Sequence, residues 1–187
     1  MEEEVQFCFE VAKEKMDNAI SYLEKELGKI RAGRASPSIL NGIFVDYYGV
    51  KTPVSQTANI STPDLKTIVV QPWEKNLLEP MEKAILAANI GLTPVNNGEV
   101  IHINIPALTE ERRNQLVKQV KSEGENAKIS IRNARKSAND DLRKLQNEGL
   151  SEDRKKSAEE EVQEIINDYS KKIDALLEAK EKIVMTV

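Results

Sequence analysis

Between Thr109 and Gly149 the sequence sets small or apolar residues at Val117, Val120, Gly124, Ala127, Ile131, Ala134, Ala138, Leu142 and Leu145, in steps of three and four. That spacing draws one narrow stripe along an α-helix, the pattern of a seam against other helices. At ~1.5 Å per residue the helix is on the order of 60 Å long. A compact domain of 187 residues does not need such a rod. The length predicts that the shape itself is used.

One position round from the seam run Lys121, Lys128, Arg132, Arg135 and Asn139, flanked by Lys136 and Arg143. No Asp or Glu occurs from Asn126 through Asn139. The expectation is a positive strip beside the seam, with nothing local to neutralise it. Net charge is −4 overall, which argues against a general nucleic-acid binder, so phosphate contact requires this kind of segregation. Charged residues make up 31% and aromatics 4%, a balance for aliphatic helix packing rather than a large sheet.

Two further helices of the same kind are expected. Glu3 to Ile30 carries a seam at Phe9, Ala12, Met16, Ala19, Leu23, Leu27 and Ile30. It has Glu2, Glu3 and Glu4 at the positive end of its dipole and Lys25, Lys29, Arg31 and Arg34 crowding the other end. After Gly149, Ser151 caps a last helix with its seam at Ala158, Val162, Ile165, Tyr169, Ile173, Leu176 and Leu177. The short connection forces an antiparallel return. Gln163 and Glu164 then fall level with Arg135.

From residue 31 to 106 the texture changes. Gly33 leaves helical geometry cheaply. Ser36-Pro37 reads as a cap and first turn closed by Gly42. Ile43–Tyr48, Thr67–Val70 and Glu99–Ile105 are strand-like, and Asn96-Asn97-Gly98 is a turn. Pro80–Asn89 reads as a helix. The fold class is α+β: an elongated antiparallel three-helix bundle from residues 1–30 and 107–187, with a small α/β domain, 31–106, inserted in it. The chain crosses between the parts twice, and Ile30, Gly33, Ser36, Ile105 and Pro106 are the candidate two-stranded hinge.

Chemistry is mostly excluded. Cys8 and His102 are each alone in their type, which rules out a disulfide framework and a zinc site. His102 is expected at a surface or edge. No phosphate-cradling glycine loop occurs, and no Ser or Thr has a histidine to pair with. Trp73, Tyr47 and Tyr48 are expected in the core of the insert. No catalytic residue, metal or cofactor is expected, and the chain reads as a non-enzyme. No stretch is apolar enough to span a membrane, and the acidic start is unlike a signal peptide; the expected compartment is the cytosol. Geometry leaves the basic strip with two readings. It is either a row of interhelical salt bridges or a contact for the backbone of helical RNA, to which arginines in a rigid row are suited.

The runs Ile30-Arg31-Ala32-Gly33-Arg34-Ala35-Ser36-Pro37, Val45-Asp46-Tyr47-Tyr48-Gly49, Leu108-Thr109-Glu110-Glu111-Arg112-Arg113 and Ile131 through Asp140 resemble the signatures of the ribosome recycling factor family, in order and along essentially the whole chain. Where many members carry Arg-Asp, this chain has Lys136-Ser137. The resemblance implies an L-shaped monomer that binds the terminated ribosome. It implies action with elongation factor G, whose GTP hydrolysis drives the subunits apart and frees messenger RNA. Arg132 and Arg135 are thereby implied as contacts to large-subunit ribosomal RNA, with Arg31 and Arg34 as basic residues near the hinge. Lys128, Lys136 and Asn139 of the same strip are expected to join Arg132 and Arg135. An adaptor that binds only proteins through its coiled-coil surface is the alternative.

Overall fold

The computed structural model describes residues 1–186. The chain divides into two units, Met1–Arg31 with Glu110–Val187, and Ala32–Thr109.

The first unit is three long helices: α1 (Glu2–Lys29), α4 (Glu110–Asn147) and α5 (Glu152–Met185). At ~1.5 Å per residue the 38 residues of α4 span about 57 Å. α4 packs on both of the others. Its inward residues are Leu116, Val120, Gly124, Ala127, Ile131, Ala134, Ala138 and Leu142. The seam thus runs through Leu116 instead of Val117, and through Ile166 instead of Ile165 on α5. Neighbouring apolar residues lie about 100° apart on a helix, so both touch the seam and packing selects one. Val5 also joins the α1 seam, where Ala19 is only half-buried.

Cross-helix bonds fix the register. Arg135 reaches Gln163 and Lys128 reaches Asp174, so α4 and α5 run antiparallel. Glu2 meets Arg154 and Asp17 meets Tyr169, so α1 and α5 run parallel. The α4–α5 turn ends in a double cap. Gly149 N–H bonds Gln146 O at 3.1 Å and Leu150 N–H bonds Leu145 O at 2.9 Å, with Gly149 at φ +117°. Ser151 Oγ then accepts from Arg154 N–H at 3.2 Å to open α5.

The second unit has a hairpin, β1 (Phe44–Tyr47) with β2 (Val50–Pro53), followed by a single helical turn, α2 (Val54–Thr57). A four-stranded antiparallel sheet in the order β3-β4-β6-β5 follows, from β3 (Ala58–Ser61), β4 (Thr67–Pro72), β5 (Thr93–Asn96) and β6 (Ile101–Asn104). Helix α3 (Leu78–Ala87) packs beside it, against β5 and β1. Ile68, Val70, Met81, Ile85, Ile101 and Ile103 are fully buried in one aliphatic core. Asn96 and Asn97 make the β5–β6 turn with their own side chains: Asn96 Oδ1 accepts from Gly98 N–H at 2.8 Å and Asn97 Oδ1 from Val100 N–H at 2.9 Å.

Tyr48 and Trp73 do not enter this core; they are 78% and 72% exposed, and only Tyr47 is half-buried. Tyr48 sits in the two-residue turn between β1 and β2 at φ +50°, and Trp73 follows Pro72 beyond the end of β4. Tyr48 lies in a turn, and Trp73 lies one residue past β4, where its N–H still bonds Thr57 O at 3.1 Å. Tyr47 and Tyr48 each donate to the Glu74 carboxylate at 3.1 Å.

Candidate nucleic-acid interface

The basic strip of α4 borders a shallow groove whose other wall is α5. From α4 come Arg132, Asn133, Arg135, Lys136, Asn139, Asp140 and Arg143; from α5 come Lys156, Glu159, Glu160 and Gln163. The helices place these side chains by register alone. Seam residues Ile131, Ala134 and Ala138 point inward, which turns their neighbours to the groove.

The cations are not equally committed. Lys128 Nζ pairs with Asp174 on α5 at 2.8 Å. Arg132 pairs with Glu125 on its own helix. The expected absence of local neutralisation is therefore wrong at these two positions. Glu125 stands one residue outside the acid-free run, and Asp174 comes from another helix. Arg135 Nη1 instead donates to the neutral amide oxygen of Gln163 at 3.1 Å, which leaves its charge uncompensated by that contact. Lys136 and Lys156 make no hydrogen bond or ion pair among the described residues. Arg143 has a long contact to Asp140, 3.5 Å. The Asn139 Oδ1 atom is buried without a partner at the edge of the groove.

Lys156 was not singled out from sequence. The antiparallel register that sets Arg135 opposite Gln163 also sets Lys156 level with Leu142, which is the signal that finds it.

Arg31 and Arg34 lie elsewhere, Arg31 exposed just past α1 and Arg34 half-buried with an unpartnered Nε. Of the candidate hinge residues, Ile30 is buried and ends α1 in an extended conformation (φ −77°, ψ 106°). Gly33 has φ +66° and lies against Leu108; a Cβ there would come within 2.7 Å of Leu108 Cγ. Ser36 caps the turn Pro37–Leu40. Ala35 N–H bonds Leu65 O at 2.8 Å and Ile105 N–H bonds Lys66 O at 2.7 Å. Ser36 and Ile105 are thus fastened within the small unit, and Pro106 is exposed in the segment that follows. His102 is half-buried on β6 with Nε2 3.4 Å from Asn97 Nδ2.

A family model for ribosome recycling factor matches residues 23–185. The chain belongs to the ribosome recycling factor family. The ribosome-recycling factor of Flavobacterium johnsoniae is 60% identical over 187 residues, the full length of both chains. That of Bacteroides thetaiotaomicron is 50% identical over 184 residues, covering 98% of this chain and 99% of its own. A solution structure of the ribosome recycling factor matches with a TM-score of 0.74 at 39% identity, over 98% of each chain. A second match, TM-score 0.63 at 41% identity over 97% of this chain and 99% of the other, is to models for the T. thermophilus ribosome recycling factor and the E. coli elongation factor G bound to the E. coli post-termination complex. The family's helical bundle and small sheet unit are the two units found here. No helix of the described residues is long and apolar enough to cross a membrane.

Proposed function

We propose that this chain recycles ribosomes: with elongation factor G and GTP it separates post-termination ribosomes into subunits and releases them from messenger RNA. Family membership supports this reading, as does the placement of a relative with elongation factor G on a post-termination complex. The observation that carries it to particular residues is the α4–α5 groove, where Arg135, Lys136 and Lys156 have no carboxylate partner. In this reading Lys128, Arg132, Arg135, Lys136 and Asn139 hold the backbone of large-subunit ribosomal RNA. Rigid helices suit this task, since helical RNA is recognised by shape and phosphate position. Arg31 and Arg34 add positive charge beside the hinge. Because Ser36 and Ile105 are bonded inside the small unit, the hinge narrows to Ile30–Arg34 and Pro106–Thr109.

The chain breaks no bond itself; the GTPase supplies the free energy, and the protein works as a monomer in the cytoplasm. The test is sedimentation of messenger-bound ribosomes with the purified chain, elongation factor G and GTP. Subunits accumulate only when all three are present. Ribosomes that stay intact in the complete mixture, while still binding the chain, contradict the proposal.

A further inference from the structure

Arg132 is held in the free chain. Its Nη2 donates to Oε1 of Glu125, two helical turns back on the same face. Its Nε donates to the Lys128 carbonyl oxygen at 3.4 Å. Nε and Nη2 form one edge of the guanidinium, an edge that can offer two parallel N–H bonds to an oxyanion. Both donors of that edge are therefore occupied before any RNA arrives. The pair is nonetheless within reach of a ligand, since the two side chains are 56% and 58% exposed. Arg135, three residues on, rests on the neutral Gln163 and has no such rival.

We propose that Glu125 is a built-in competitor for RNA phosphate at Arg132. It holds the Nη2 donor of the arginine's bidentate edge while the groove is empty, beside the Lys128 carbonyl on Nε, and retakes that donor as RNA leaves. The inference rests on reading the groove as an RNA-backbone site, and it concerns regulation of that site. Contact at Arg132 is then an exchange of carboxylate for phosphate, while contact at Arg135 is a net addition. A tethered carboxylate never dilutes away, so it competes at every thermal excursion of the bound phosphate. A factor that must leave the particle it acts on is served by such a contact.

The experiment is a chase. Radiolabelled chain is bound to purified ribosomes and its dissociation is followed after excess unlabelled chain is added. Wild type, Glu125→Gln, Arg132→Gln and the double variant are compared, with circular dichroism confirming the same helix content. Exposed ion pairs are weak, so the expected effect of Glu125→Gln is dissociation slowed about two- to five-fold. Removing any negative charge beside a polyanion also tightens binding, and the double variant separates the two causes. The proposal requires the slowing to vanish when Arg132 is already Gln. Slowing of equal size in that background makes Glu125 a general charge effect and overturns the proposal. So does an unchanged rate for Glu125→Gln where Arg132→Gln alone speeds dissociation, and in that case the groove's role stands. If no variant differs from wild type, Arg132 makes no contact with the particle and the proposal is overturned. The reading of the groove through Arg135, Lys136 and Lys156 is tested separately by salt dependence.

Discussion

Four of the eight residues that α4 turns inward are Gly or Ala, whereas the core of the small unit is built from Ile, Val, Leu and Met with one Ala. The first interior is a line along which long helices approach closely. The second is a compact volume filled by branched side chains. Each unit is therefore vulnerable in its own way: the core to truncation, the seam to enlargement.

The largest effect is expected in the small unit. Ile68 is fully buried on β4 between β3 and β6. Ile68→Ala is expected to cost roughly 2–5 kcal/mol in urea denaturation, because a close-packed core collapses only partly around the cavity. A loss below that range would mean the unit is looser than its burial indicates. The seam gives the next effect. At Gly124 an added Cβ meets Leu177 Cδ1 at 2.3 Å and Cγ at 3.0 Å. Alanine gains up to about 1 kcal/mol of helix propensity over glycine, but overpacking costs roughly 1–3 kcal/mol. Gly124→Ala is expected to be a net destabilisation of about 1 kcal/mol, relieved when Leu177→Ala is combined with it. Independent, additive losses would break the contrast between the two interiors.

The smallest effect sharpens the contrast at a polar contact on the seam. Tyr169 is buried and its hydroxyl donates to Asp17 Oδ1 at 2.5 Å. Burial, and then the Asp17 contact, push its pKa from 10.0 up to about 12. The folded state therefore resists losing that proton. The stabilisation is complete below pH 10 and is lost as pH rises toward 12. Tyr169→Phe is expected to cost about 1 kcal/mol at neutral pH and to remove this part of the alkaline loss, as read by thermal melts from neutral to high pH. An identical alkaline profile in the variant would show that the hydroxyl does not titrate against folding.

The same difference explains what the sequence disclosed. A seam repeats its signal over dozens of residues, so all three long helices were legible, with slips of one position at Leu116 and Ile166. Strands of four residues carry no such redundancy. β2 lies exposed or half-buried along its length, β3 has one buried residue, and β5 contains Pro94, which its place at the sheet edge allows. None of these three was readable from alternation. Tyr48 and Trp73 misled because composition cannot say where a turn or strand end leaves a side chain. In the groove, the α4 cations followed from helical period, unlike Lys156 on α5, and Arg135 opposite Gln163 followed from the short turn at Gly149. The counter-ions did not. Glu125 lies two turns from Arg132, and Asp174 reaches Lys128 only through folding.

Arg135, Lys136 and Lys156 stand without carboxylate partners, and contact of such cations with phosphate has a direct signature in salt. Ribosome affinity of the wild-type chain, plotted as its logarithm against the logarithm of salt concentration, should fall steeply. For the double variant Arg135→Ala/Lys136→Ala the slope should be shallower by about two, roughly one for each phosphate contact removed. Parallel lines for the two proteins would contradict the assignment of the groove to RNA.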